Sequence, residues 1–171
     1  HPPLGKILIA IGVDWLEMTP FGWRFMNALV VALFPLLLWF AARWMFGTRF
    51  AAYSAAFLAF FELMFFVHGR WANIDAFLAF FLTCSLVALF RWYQLDAGGF
   101  SRRGVPWFLA AGVAFGLALA VKWSALFTGF AVFVLWVVFQ ATRARTADLA
   151  LSRMSSSGAT VAAVSARRLG S

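Results

Sequence analysis

The residues of this chain that could do chemistry are few, and most of them are cations: His1, Lys6, Arg24, Arg70 and Lys122, with the carboxylates Glu62 and Asp75 among them. They stand in or beside long apolar runs, where an ionised side chain at mid-bilayer costs at least about 2.5–3.5 kcal/mol. Each therefore needs a partner, an aqueous cavity or a shallow depth. Cations that converge on one surface from separate stretches suit an anion with several charges, such as a phosphate or pyrophosphate head group. Arg offers that anion a planar fork of donors, and Lys a compact positive charge.

Simpler readings exist for most of these residues. Arg24 and Lys122 snorkel at helix ends; Arg70 and Asp75 pair within a single turn; His68 is an interfacial polar residue. Glu62 is a structural partner to a buried cation rather than a proton carrier, and Asn27 and Cys84 are helix-packing residues. No Gly-rich phosphate loop, Ser-His-Asp arrangement or His-x-x-x-His spacing occurs, so the motifs give triad and metal chemistry no support.

Composition says where such charges must live. The 171 residues are 64% hydrophobic, 19% aromatic and 12% charged, against about 45–50% apolar and 25% charged in an average soluble domain. One soluble core cannot hide that surplus, which excludes a soluble globular protein and a disordered one. The balance of 14 Lys+Arg against 6 Asp+Glu gives a net charge of +8. The basic residues sit between apolar runs, the pattern of a membrane protein rather than of a nucleic-acid binder. A single cysteine, Cys84, excludes an internal disulfide and a thiolate metal cluster. The chain starts at His1 with no initiator Met or signal peptide, and is expected to be a piece of something longer.

The elements that must position the charges are apolar runs long enough to cross about 30 Å of hydrocarbon, roughly 17–25 residues each. Residues 25–46 qualify, with Pro35 as an expected kink and Asn27 as the one strongly polar interior group. Residues 50–67, interrupted by Glu62, and residues 72–93 follow. The last apolar run, 106–141, would measure about 54 Å as one helix, too long for a single span. A break at Lys122-Trp123-Ser124 divides it into 106–121 and 125–141. The expected fold is all-α: a polytopic membrane helix bundle of about five spans occupying 23–141.

The flanks differ from the bundle. Residues 1–22 form an external-loop segment in which Leu4, Ile7, Leu8, Ile11 and Trp15 recur at helical spacing, interrupted by Lys6, Asp14 and Glu17. This predicts an amphipathic helix lying in the interface. Residues 142–171 are Ala-, Ser- and Arg-rich and cannot bury enough surface to fold, so a disordered basic tail is expected.

Orientation follows from Lys and Arg near the span ends. With the 47–49 connection cytoplasmic, that side holds Arg43, Arg49, Arg91, Arg102, Arg103, Arg143 and Arg145. Lys6, Arg24, Arg70 and Lys122 then share the opposite face with His1 and Asp75. Trp23, Trp44, Trp71, Trp92, Trp107 and Trp123 fall close to span ends, as an aromatic belt requires.

Four strings, in order, carry a family resemblance. His1-Pro2-Pro3-Leu4-Gly5-Lys6 with its apolar helix, then Gly22-Trp23-Arg24-Phe25, resembles the first external loop and following helix of the protein O-mannosyltransferases. These are dolichyl-phosphate-mannose–protein mannosyltransferases of the glycosyltransferase C (GT-C) superfamily. The stretch from Glu62 to Arg70, followed by Asp75, is similar to the family's acidic residue, apolar stretch, Ser-Arg and Leu-Asp. Gly112 to Phe127, with Gly116 and Lys122-Trp123-Ser124, resembles its Gly-x-x-x-Gly…Lys-Trp segment.

The resemblance implies part of a GT-C fold in a multi-pass protein of a bacterial plasma membrane or the ER membrane. Its active face would be periplasmic, extracellular or lumenal. Such an enzyme moves mannose from a polyprenyl (dolichyl-type) phosphate to Ser or Thr hydroxyls of secreted or membrane proteins. It implies no cofactor beyond the lipid-linked donor, no metal and no nucleic acid, and a possible dimer among membrane lipids. Arg24 and Arg70 would match the family's functional arginines. His1 and Lys6 would belong to the loop motif beside the pocket, Asp75 and Lys122 to its support, and Glu62 to the same supporting set.

The departures matter. In the family the base is an Asp of an Asp-Glu pair shortly upstream of the His-Pro-Pro motif, where this chain begins. The chain thus offers no catalytic residue of its own, and in isolation is expected to bind weakly and not turn over. Gly69 stands where Ser is usual, and Asn73 where an apolar residue is usual. Other functions predict different patterns. A related GT-C enzyme would move another sugar to a lipid or glycan. A transporter would spread polar groups through the membrane depth, with broken helices meeting at the midplane, and a non-catalytic remnant or assembly subunit would be supported by a reading frame truncated at both ends.

Overall fold

A computed structural model of the chain describes residues 2–62, 67, 70–96, 101–142 and 145. His1, His68, Gly69 and, apart from Thr142 and Arg145, the expected tail lie outside the described residues. Two compact units are present, residues 1–128 and 129–171. Every regular element among the described residues is an α-helix. The first unit contains α1 (Leu4–Leu16), α2 (Pro20–Phe46), α3 (Arg49–Phe61), α4 (Ile74–Asp96) and α5 (Val105–Val121). A further apolar helix, α6, covers Ala125–Thr142. Its described residues in the second unit include Phe133 and Trp136, whose rings stack 6.4 Å apart, and Thr142, whose hydroxyl donates to Phe139 O at 2.9 Å.

Local chemistry sets the helix ends. Thr19 caps α2, its hydroxyl accepting from Gly22 N and donating to Leu16 O, both at 3.1 Å. Pro20 takes the first helical position, where its missing N–H costs nothing. At the far end Gly47 adopts φ +69 and donates to Arg43 O, so the chain leaves the helix through a left-handed residue that glycine accepts without strain. Thr48 then caps α3 by accepting from Ala51 N at 3.3 Å. Pro35 lies inside α2 without ending it.

The break expected near Lys122 is present: α5 stops at Val121, Lys122 is extended, and a turn at Trp123 and Ser124 leads into α6. The second apolar run behaves differently from expectation. Glu62 is extended and donates from its N–H to Ala59 O, so α3 ends at Phe61 rather than running to 67. At 13 residues it rises only about 20 Å. Among the described residues three helices, over Pro20–Phe46, Ile74–Leu95 and Ala125–Thr142, are long and apolar enough to cross a membrane; α3 and α5 are shorter apolar helices.

α2 packs against α1, α3 and α4, and α4 against α5. The core joins Ile9 of α1, Val30 of α2, Phe77 of α4 and Val121 of α5. Lipid offers apolar side chains an environment as good as the bundle interior, so close approach depends on small residues and polar contacts. Ala111, Ala114 and Ala118 line the buried side of α5, and the Ser85 hydroxyl donates to Ala111 O at 2.9 Å. Gly5 sits where an added Cβ would come within 2.8 Å of the Ile74 side chain, and Gly12 where one would come within 2.6 Å of Gly22 O. These contacts seat α1 against the start of α4, the end of α5 and the first turn of α2.

Candidate functional site

The start of α2 and the segment leading into α4 form one wall-to-wall feature. Pro20, Trp23 and Arg24 face Arg70, Trp71, Ala72 and Asn73 across an open cleft of about 550 Å³. Two arginines and two tryptophans therefore line one concavity at one end of the bundle. The arginines arrive from positions far apart in sequence. Arg24 is carried by the first turns of α2, which Thr19 and Pro20 start, and Arg70 stands immediately before the turn at Trp71 and Ala72.

That turn is held from α2. The side-chain amide of Asn27, fully buried, donates to Trp71 O at 2.9 Å and to Asn73 O at 2.6 Å. Asn73 in turn accepts from Asp75 N at 3.0 Å, starting α4. Asp75 in the first turn of α4 meets Lys122, just past the end of α5, at 2.8 Å. A carboxylate at a helix N-terminus and an ammonium at a helix C-terminus each oppose the local helix dipole favourably. The pair is partly exposed, with side-chain exposures of 45% for Asp75 and 30% for Lys122.

The expected convergence is thus resolved residue by residue. Arg24 and Arg70 line the cleft together. Lys122 is engaged by Asp75, which corrects the reading of Asp75 as a partner of Arg70 within one turn: the ion pair runs to α5 instead. Lys6 is exposed on α1, next to Gly5, whose contacts with Ile74 and Val121 put it at the same end of the bundle as Asp75 and Lys122. Glu62 ends α3 and is not among the cleft's lining residues. His1 lies outside the described residues. Sequence reasoning missed Asn27 and Asn73 as parts of this site. The signal was present: Asn27 is the polar interior group of its apolar run, three residues after Arg24.

At the other end of α2 the chemistry changes. The Arg91 guanidinium lies 5.1 Å from the Trp44 ring centroid, and Gln94 donates to Trp44 O at 2.7 Å. Trp44 also meets Trp107 edge-on at 5.1 Å. This is an aromatic and basic belt at a span end.

Both arginines, Asp75 and Lys122 fall inside the region, residues 14–164, that matches the family model described as dolichyl-phosphate-mannose-protein mannosyltransferase. The chain belongs to that family. The mannosyltransferase relatives it resembles include a polyprenol-phosphate-mannose–protein mannosyltransferase of Corynebacterium glutamicum, 35% identical over 143 residues, which covers 74% of this chain and 28% of the relative. One of the same description from Mycolicibacterium smegmatis is 34% identical over 158 residues, 82% of this chain and 30% of the relative. Dolichyl-phosphate-mannose–protein mannosyltransferase 6 of Saccharomyces cerevisiae is 28% identical over 146 residues, 74% of this chain and 19% of the relative. The chain therefore spans less than a third of the length of these relatives. No solved structure gives a significant match. Its long apolar helices and its family make this mannosyltransferase segment an integral membrane protein.

Proposed function

We propose that this chain carries the donor-phosphate site of a protein mannosyltransferase, which transfers mannose from a polyprenyl phosphate to Ser or Thr hydroxyls of secreted or membrane proteins. The observation that supports it is the pairing of Arg24 and Arg70, from separate elements, in one cleft between Trp23 and Trp71. The names of the bacterial and yeast relatives give the donor and the protein acceptor.

In the reaction an acceptor hydroxyl oxygen bonds to the anomeric carbon of mannose, the bond from that carbon to the phosphate oxygen breaks, and polyprenyl phosphate leaves. The leaving phosphate gains negative charge as the bond breaks. Preorganised guanidinium donors aimed at it stabilise that charge without reorganisation. Arg24 and Arg70 are assigned this work, with Lys6 adding positive potential at the same end of the bundle, while Lys122 is engaged by Asp75. The hydroxyl's proton requires a base, a role assigned to no residue described here. The donor carries its own leaving group, so the reading calls for no further cofactor. The cleft faces the periplasm, cell exterior or ER lumen, where nascent secreted acceptors emerge.

The test uses the complete gene product in membranes with polyprenyl-phosphate-mannose. Arg24→Ala and Arg70→Ala are each expected to weaken donor use by about 10–100-fold, the effect of losing a hydrogen bond to a charged group, at unchanged protein level. Donor use at the unsubstituted rate in both variants would show that the arginines only snorkel.

A further inference from the structure

Asn27 has no role in the function as proposed, yet it is the largest polar side chain fully buried among the described residues. A membrane-spanning helix satisfies its own backbone and has no need of an amide in its interior. If Asn27 merely packed α2 against α4, a small apolar residue would serve, and the amide would not have to be placed beside two acceptors. Instead both amide protons are spent on one short segment, 44 and 46 positions further along the chain. The segment is the turn directly after Arg70. Both residues whose carbonyls are held, Trp71 and Asn73, themselves line the cleft. The helix doing the holding carries Arg24 three residues earlier, less than one turn away.

We infer that Asn27 is a positioning residue for donor binding: its buried amide clamps the Trp71–Asn73 turn, and with it Arg70, to the helix that presents Arg24. The spacing between the two guanidinium groups is then set by two hydrogen bonds and not by the loose contact of apolar surfaces. The clamp also reaches further. The Asn73 side chain receives Asp75 N, and Asp75 holds Lys122, so the same turn ties α2 to α4 and to the end of α5. Among the described residues nothing donates to the Asn27 carbonyl oxygen, so the side chain's hydrogen bonds all run from its amide nitrogen to that turn.

The inference rests on the donor-phosphate reading of the cleft, and the test keeps the two apart. The complete gene product, solubilised in detergent, is titrated with polyprenyl-phosphate-mannose and binding is read by tryptophan fluorescence. Asn27→Leu keeps the volume and removes both donors; it is expected to weaken binding about tenfold, the change produced by one lost buried hydrogen bond. In an Arg70→Ala background the same substitution is expected to add less than about twofold, because the residue acts through Arg70. Where the Leu variant fails to accumulate, Asn27→Ser, smaller and with one donor left, is titrated in its place. Unchanged affinity in the Asn27 variant, or the same loss with and without Arg70, overturns the inference while leaving the cleft intact. Unchanged affinity in Arg24→Ala and Arg70→Ala overturns the cleft reading itself, and the inference with it.

Discussion

Asp75 and Lys122 stand 47 positions apart in the chain and meet at 2.8 Å. Through them the first turn of α4 is joined to the end of α5, at the same end of the bundle as the two arginines of the cleft. Each charge also lies at the helix terminus whose dipole favours it. A lysine that looked like one more cation for an anionic ligand is thus already neutralised by the protein.

This pairing predicts a specific coupling. Lys122→Met leaves the Asp75 carboxylate half-buried without its partner, and Asp75→Asn does the same to the ammonium. The double variant removes both charges and is expected to be more stable than the sum of the single losses allows. A coupling of about 1 kcal/mol is expected, at the upper end for partly exposed ion pairs. Thermal unfolding of the solubilised protein in the four forms measures it; strictly additive losses would show that the two groups do not interact.

Much of the architecture was legible because a membrane leaves few choices. Long apolar runs predict helices, and the excess length of residues 106–141 predicts the break at Lys122. The sequence marked Glu62 as an interruption of an apolar run, but the end of α3 at Phe61 was not legible, since Phe61 and the residues after Glu62 are equally apolar. In the site, the types and spacing of Arg24 and Arg70 showed that they could meet. Which cations would face each other depended on the turn at Trp71 to Asn73, and that turn is set by a contact with Asn27. Hydrogen bonds between a side chain and distant carbonyls leave no periodic trace, so the clamp and the choice of Lys122 for Asp75 required the three-dimensional arrangement.

The glycines separate in the same way. Gly12 faces Gly22 O so closely that a methyl group would have to displace backbone, and a Cβ at Gly22 would meet Glu17 O more closely still. Neither obstacle is the yielding end of a side chain. At Gly112 and Gly116, by contrast, an added Cβ meets nothing within 4 Å. Gly12→Ala is expected to cost about 1–3 kcal/mol, the usual range for overpacking, whereas Gly112→Ala and Gly116→Ala gain helix propensity. Melting temperatures of the solubilised variants decide the matter. A loss at Gly112 or Gly116 as large as that at Gly12 would mean that another segment packs there in the native protein.

The two ends of α2 make opposite demands on the membrane. Its start carries Arg24 and the cleft, while its end carries Arg43 and Trp44 beside Arg91. Positive residues accumulate on the cytoplasmic side of short connections, and Arg49, Arg102 and Arg103 lie with the second group in sequence. The first end is therefore expected to face out of the cytoplasm. Phe21 and Phe46 are both well exposed, at 64% and 65%, and flank the two ends. In the complete gene product with Cys84 and any further cysteines replaced by Ser, a membrane-impermeant maleimide is expected to label Phe21→Cys in intact cells and Phe46→Cys only after permeabilisation. On the proposed function, the outward face is where acceptors and the donor's head group would meet the cleft. Labelling in the reverse order would put Arg24 and Arg70 on the cytoplasmic surface, out of reach of any secreted hydroxyl, and the proposed transfer to exported proteins would fall.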